Sequence, residues 1–320
     1  MMNSFLKRLL LIIGSIVVIC ITAASIYSYT LYQTAEDTVE IMYEERKASK
    51  KRIEKIEVKE LSPISFALLG VDERTGDIGR SDTIIVITVN PNTNTTKMVS
   101  IPRDTRTEIV GKDKLDKINH AYAFGGTDMA INTLENFLDI PIDYFVKVNM
   151  EGFQEAVDAI GGVNVQNKMA FTNGPFRFEE GVIPLDGRSA LAYSRMRKDD
   201  PNNDFGRQNR QRDIIKALIN KGASLSSITH FDDLFEVLGQ NVKTNLSFNE
   251  MLEIQKLYRD ASKNIEPLEI RGKDQYIDNL FYYIVSDEER KALSSELKTH
   301  LELDGSGLNR KNEMISVETL

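Results

Sequence analysis

The sequence predicts an α/β protein: an α-β-α sandwich around a central mixed β-sheet, preceded by one N-terminal transmembrane helix. Three observations predict it. Short runs rich in β-branched residues alternate with helical stretches, the pattern of a sheet covered on both faces. Two of the runs are joined by a short turn, which makes that pair a hairpin. A long uncharged apolar stretch opens the chain.

That stretch runs from Leu9 to Ala35 and follows Lys7 and Arg8. A bilayer core needs about 20 apolar residues of helix, and residues 9–32 supply them. Tyr27, Tyr29 and Tyr32 stand where an aromatic belt would lie. A cleaved signal peptide is the rival, with Ala23-Ala24-Ser25 as a small-residue site. The run is longer than the roughly 7–15 residues of a signal core, which favours an uncleaved anchor. Lys7 and Arg8 on one side, and Glu36, Asp37 and Glu40 on the other, favour a cytoplasmic N-terminus over residues 1–8 and an extracytoplasmic chain beyond the span. Residues 33–61 carry both signs of charge densely and read as a solvated stalk.

The folded domain is expected over residues 62–302. "ISFALLG" (64–70) and "DTIIVITVN" (82–90) read as buried strands, and "KMVSIP" (97–102) as a third, paired with the second across "PNTNTT". "GTDMAINTLENFLDIP" reads as a helix capped by Thr127 or Asp128 and ended by Pro141. A strand at 144–149, a helix stopped by Gly161-Gly162 and a short strand "VNVQ" follow. Residues 170–187 read as loop, and "FGRQNRQRDIIKALINKGA" as a strong helix. Further helices are expected at 228–238, after the capping box of Ser247 and Glu250, and after Ser286, with strands near 268–271 and 280–285. Residues 303–320 read as a polar, disordered tail.

Composition narrows the chemistry. The formal net charge of −8 disfavours nucleic acid as a partner. Cys20 is the only cysteine, so an intrachain disulfide and a cysteine zinc site are excluded. His120, His230 and His300 are the only histidines, and His120 reads as structural. Neither a Gly-x-Ser-x-Gly elbow nor a cysteine outside the span offers a nucleophile.

Charge collects instead at strand ends. "GVDERTGDIGRSD" places Asp72 after one strand and Asp82 at the start of the next, with Arg74 and Arg80 between them. Two carboxylates there can ligate a hard cation such as Mg2+, which completes its shell with phosphate oxygens and water. The arginines can fork onto the same phosphates. A surface loop of self-neutralising ion pairs is the other reading of this stretch. "SIPRDTR" sets Arg103 and Asp104 after the third strand, and "YSRMRKDDPNNDFGRQNRQR" carries Arg195, Arg197, Arg207, Arg210 and Arg212. Arg207, Arg210 and Gln211 fall on the helix stripe continued by Ile214 and Leu218, whereas Arg212 falls opposite and reads as solvent-facing. Inward arginines must be paired or bind an anion. Pairing with Asp199, Asp200 and Asp204 and binding of an anion both satisfy that demand. Metal and arginine electrostatics suit transfer at a phosphorus centre.

Six ordered motifs carry a resemblance: "LLGVDERTGDIGRSDTIIVITVNP", "MVSIPRDTR", "KINHAYAFGG", "VDAIGGVNV", "LDGRSALAYSRMRKDD" and "DFGRQNRQRDIIKAL". Together they resemble the LytR-CpsA-Psr family of cell-wall enzymes, and within it the wall teichoic acid ligases of bacilli. The resemblance implies a membrane-anchored, extracytoplasmic enzyme of a Gram-positive cell. It would move a glycopolymer from an undecaprenyl-pyrophosphate carrier to the muramic acid 6-hydroxyl of peptidoglycan. It implies Mg2+, with Mn2+ as a substitute, on Asp72 and Asp82. It also implies a pyrophosphate held by Arg74, Arg80, Arg103, Arg195 and Arg197, with Arg207, Arg210 and Gln211 beside the site. Asp104 and Asp204 match the accompanying acids, and either can serve as general base. The catalytic set expected is Asp72, Asp82, Arg103, Arg197 and Arg207. Two other readings use the same residues: a lipid-pyrophosphate hydrolase, and a non-catalytic protein that binds a lipid-linked glycan.

Overall fold

Alternation along the central strands determines the layers. The computed structural model describes residues 22, 27, 29–30, 32–46, 49, 51–52, 56–73, 78–197, 200–224 and 239–303. Strand β1 (Ile64–Val71) pairs antiparallel with β2 (Ser81–Asn90), and β2 with β3 (Thr95–Ser100). Ala67, Leu69 and Val71 of β1 and Ile84 and Val86 of β2 enter one core cluster. Phe66 and Leu68, with Ile85, Ile87 and Val89, pack into clusters on the other face. A period of two with apolar residues on both faces is what a sandwiched sheet requires.

Four more elements lead to the next strand of the central sheet, the first two pairing only with each other. They are β4 (Arg106–Ile109), β5 (Lys114–Lys117), helix α2 (His120–Leu138) and β6 (Tyr144–Val148). β6 pairs parallel with β1. Helix α3 (Met150–Ala159) leads into β7 (Val163–Asn167), β8 (Phe171–Asn173), β9 (Phe176–Phe178) and β10 (Gly181–Leu185). Helices α4 (Gly187–Arg195) and α5 (Asn203–Ser224) follow. The chain ends with β11 (Val242–Thr244), α6 (Phe248–Leu257), β12 (Ile265–Leu268), β13 (Lys273–Ile277), β14 (Leu280–Ile284) and α7 (Asp287–His300). The six-stranded sheet has the order β11-β6-β1-β2-β3-β12, with parallel pairs at β1/β6 and β3/β12. Residues of α2 and α7 cover one face, and residues of α5 and α6 the other. The α-β-α layering with a mixed sheet is as expected. The opposite flank of α5 closes a second core with α3, α4 and β7–β10, around Tyr193 and Ile214.

Several expectations are corrected. The described residues of 33–61 do not form a solvated stalk. A helix over 32–42 (α1) buries Ala35, Val39 and Met42. Tyr43 then bridges to Thr244 of the edge strand β11. Arg46 lies 3.1 Å from Glu135, with side chains only 4% and 8% exposed, and Arg52 clasps Asp143 at 2.6 Å. Arg46 and Arg52 serve pairing, because partners far along the chain meet them.

The helix expected to start at Thr127 or Asp128 is present as the second part of α2: non-helical Gly125 and Gly126, the latter at φ +64°, separate it from a short helical stretch that opens at His120. Residues 170–187 hold three short strands and the start of α4, with Phe171 and Phe178 buried. The short turn, the Ser247–Glu250 capping box and the Ser286 cap are as expected. The segments at 228–238 and 304–320 lie outside the described residues, as does most of the span at 9–32. Among the described residues no helix is long and apolar enough to cross a membrane.

Candidate active site

Asp72 and Asp82 leave the same end of two neighbouring antiparallel strands. The loop between them closes tightly. The Asp72 N–H donates to the Arg80 carbonyl at 3.2 Å. Gly79 sits at φ +72°, and a Cβ there would fall 2.3 Å from the Asp72 carbonyl oxygen. Only glycine permits both the backbone angle and the approach.

Asp82 meets Arg103 at 2.9 Å and accepts from Asn119 Nδ2 at 3.2 Å. Arg103 arrives directly after β3 and Pro102, and its Nε lies 3.6 Å from Asp104. Asp104 accepts from Lys117 Nζ at 2.6 Å. The start of α5 brings the remaining charges. Asp204 lies 2.9 Å from Arg207 and 3.8 Å from Arg197, and it accepts from Gln208 Nε2 at 3.1 Å.

The balance of charge is uneven. Burial pulls the Arg103 guanidinium down, but Asp82, Asp104 and Asp204 more than offset it and its pKa rises. Arg207 is lowered: burial is the main cause, Arg103 and Arg197 add to it, and Asp204 and Asp82 only partly oppose. A guanidinium stays protonated regardless. Arg207 is therefore a half-desolvated cation short of counter-charge. Its Nε is buried with no hydrogen-bond partner, and so is Asn119 Oδ1 beside Asp82. Both orphan atoms suit an anion together with a hydrated cation, since buried polar groups otherwise find partners.

The structure thus brings together Asp82, Arg103, Asp104, Arg197, Asp204 and Arg207, with Asp72 at the adjoining strand end. Arg80 and Arg195 are exposed and join no ion pair among the described residues. Arg74 lies outside the described residues. Gln211 is half-buried one turn beyond Arg207. Arg210 is a correction. It does not face the anion cluster but pairs with Asp200 at 2.6 Å, with side chains 7% and 4% exposed. It also lies 5.4 Å from the Phe171 ring centroid. Three residues on, it is rotated by about 60° around α5 from Arg207 and faces the second core. Arg212 is another correction: it is half-buried in a cleft wall, not solvent-facing. Lys117, Asn119 and Gln208 were not singled out in the sequence. For Lys117 and Asn119 the available signal was their place in "KINHAYAFGG". His120 bonds Asp116 at 2.9 Å, away from the acids of the cluster.

Two openings lie along α5. An apolar cavity of about 360 Å3 lies between the sheet and the α5/α6 layer, lined by Leu68, Ile87, Val89, Ile215, Ile219 and Ile254 among others. Ile215 stands about 12 Å along α5 from Arg207, at 1.5 Å per residue. A separate cleft of about 520 Å3 at the start of α5 includes Phe205, Gln208, Arg271 and Tyr283.

A layered α/β sheet thus carries a cluster of arginines and carboxylates at its strand ends and an apolar cavity farther along the same helix. The family model of LytR_cpsA_psr matches residues 26–299. The polyisoprenyl-teichoic acid–peptidoglycan teichoic acid transferase TagU of Bacillus subtilis (strain 168) is 50% identical over 296 residues, covering 92% of this chain and 97% of TagU. The crystal structure of B. subtilis TagU superposes with a TM-score of 0.63 at 50% identity, over 75% of this chain and 97% of that one. The structure of TagT bound to LI-WTA gives 0.68 at 31% identity, over 80% and 97%. This chain belongs to the LytR_cpsA_psr family.

Proposed function

We propose that this protein is a phosphotransferase that ligates wall teichoic acid to peptidoglycan. Its donor is the polymer on undecaprenyl-pyrophosphate and its acceptor the muramic acid 6-hydroxyl. One observation carries the reading. Arg207, a buried cation with an unpartnered Nε, stands on the same helix as the residues that line an apolar cavity. A pyrophosphate on a prenyl chain satisfies both ends of that arrangement at once. The name of TagU, which describes a teichoic acid transferase, supports the same polymer and acceptor.

The site's residues fit Mg2+. No cluster of three or more His, Cys, Asp or Glu suited to a metal occurs among the described residues. An ion that keeps water and takes phosphate oxygens needs only one or two carboxylates. Asp72 and Asp82 would hold it, with Mn2+ as a substitute, and the orphan Asn119 Oδ1 would accept from one of its waters. When bound, the ion neutralises pyrophosphate charge. Arg103, Arg197 and Arg207 hold the phosphate oxygens and meet the charge that develops on them. The muramic 6-oxygen forms a bond to the phosphorus next to the glycan, and that phosphorus loses its bond to the bridging oxygen. Undecaprenyl phosphate leaves. The hydroxyl proton passes to a carboxylate, and Asp204 holds the position for it, since its turn of α5 also borders the polar cleft.

In this reading the domain stands outside the cell membrane on a single N-terminal span, residues 9–32, with the N-terminus in the cytoplasm. The docked segment after the span then holds the domain close to the bilayer that carries the donor.

Full-length protein in vesicles, given Mg2+, a labelled lipid-pyrophosphate teichoic acid precursor and peptidoglycan, is expected to place the label covalently on peptidoglycan. Label released only to water would replace the transferase with a hydrolase, and unconsumed donor that stays bound would replace it with a binding protein. Gly79→Ala is expected to lower the transfer rate at least about tenfold by displacing the backbone of Asp72. An unchanged rate would mean that Asp72 is not held by this loop.

A further inference from the structure

The proposed reaction has two substrates, and the apolar cavity and arginine cluster account for one. The polar cleft borders the start of α5. Asn202, Phe205, Gln208 and Arg212 line it from α5 and the turn before it, and Arg271 and Tyr283 line it from the opposite wall. It continues into a smaller pocket of about 190 Å3 that adds Lys168, Asp213 and Lys216 and shares Arg212 with the cleft. The cleft meets the charged cluster twice. Gln208 donates to Asp204 at 3.1 Å, and the Tyr283 N–H donates to the Asp104 carbonyl at 2.9 Å.

Resting on the transferase reading, we propose that this cleft is the acceptor subsite, and that it takes a peptidoglycan strand of N-acetylated sugars with its stem peptides. Four features select that chemistry. Phe205 is 46% exposed although its ring packs edge-on to Tyr283 at 5.7 Å. An aromatic face left open beside amides is a platform for the C–H face of a sugar ring. Asn202, Gln208 and Asn209 offer both donors and acceptors for hydroxyl and acetamido groups. Ser100, 4% exposed in the cleft wall, has a buried Oγ with no partner, which a sugar hydroxyl would satisfy.

The fourth feature is mixed charge. Arg212, Arg271, Lys168 and Lys216 stand with Glu269 and Asp213. Burial raises the Asp213 pKa, and nearby cations only partly offset this. The four cations attract carboxylates, and Glu269 and Asp213 offer places for an amine. Stem peptides carry carboxylates and an amine, so they match both signs. The acceptor hydroxyl then approaches the phosphorus past Gln208, which joins the cleft to Asp204.

The test compares wild type, Phe205→Ala, Arg271→Gln and Asp82→Ala, each as full-length protein in detergent micelles. An uncrosslinked peptidoglycan tetrasaccharide with stem peptides is titrated calorimetrically, and donor hydrolysis and transfer are measured separately. Phe205→Ala is expected to weaken tetrasaccharide binding and raise the acceptor KM by about tenfold, with the donor KM and hydrolysis unchanged. Arg271→Gln should weaken binding of the peptide-bearing tetrasaccharide and spare the same glycan without peptides. Asp82→Ala should lose turnover and keep the tetrasaccharide affinity. Unchanged binding and acceptor KM in Phe205→Ala would overturn the assignment. A raised donor KM in that variant would overturn it in favour of the donor polymer as occupant. Retained transfer in Asp82→Ala would instead refute the transferase site and leave the cleft binding result standing alone.

Discussion

Asp82→Ala is expected to lower transfer by about a thousandfold or more, the scale for removing one preorganised electrostatic partner or a metal ligand. The fold should survive. Asp82 has a side chain 30% exposed and pairs with Arg103, itself 26% exposed, and a pair so placed contributes about 1 kcal/mol at most. The circular dichroism spectrum and melting temperature should therefore stay close to wild type. The variant also separates two roles for the carboxylate. If Asp82 only neutralised Arg103, its loss would free Arg103 for phosphate, and turnover would persist with tighter donor binding. If it helps hold Mg2+, turnover falls and what remains loses its dependence on added Mg2+. Asp82→Asn, which keeps the shape and removes the charge, should follow alanine. Full activity in either variant would remove Asp82 from the reaction.

Arg210→Ala is expected to act on stability. Its guanidinium donates to Asp200 Oδ2 at 2.6 Å and to the Met196 carbonyl, against the rings of Phe171 and Tyr193. Asp200 also accepts from the Asn202 N–H at 2.7 Å. A Cβ on Gly206 would fall 1.9 Å from the same Asp200 oxygen that Arg210 binds. The pair therefore pins the first turn of α5, which carries Asp204 and Arg207. Removing one member leaves a buried carboxylate without its partner, at a cost of about 3–5 kcal/mol. For a domain of this size that lowers the melting temperature by about 10 °C. The pair Asp200→Asn with Arg210→Met should recover much of the loss, because it removes the uncompensated charge. An Arg210→Ala protein that melts like wild type yet fails to transfer would return Arg210 to the anion site.

The arginines show what a sequence can and cannot say about this site. Arg207 and Arg210 fall on one inward stripe, and both must meet an anion for the same reason. Periodicity cannot say which anion, because that depends on what faces each turn. For Arg210 it is Asp200 within the chain. For Arg207 the nearest acid, Asp204, is shared with Arg197, and the remainder is left for a ligand. Arg212 was misread because an α5 packed on both flanks has little solvent face at that point, and a wheel assumes one wet side.

The local features were legible from the chain alone. The two-faced apolar alternation of β1 and β2, the short β2–β3 turn, the Ser247–Glu250 capping box and the strand-end position of Asp72 and Asp82 all depend on residues near one another. Backbone geometry links those positions directly. The rest needed the tertiary structure. The charges of residues 33–61 look like a solvated stalk until Glu135 and Asp143 arrive from far along the chain to pair with Arg46 and Arg52. The cavity exists only where β1, β2, α5 and α6 meet, and the cleft only where the start of α5 faces Arg271 and Tyr283. Propensity and pattern act over a few residues, whereas an enclosed volume or a buried pair is set by which distant surfaces the packed sheet brings into contact.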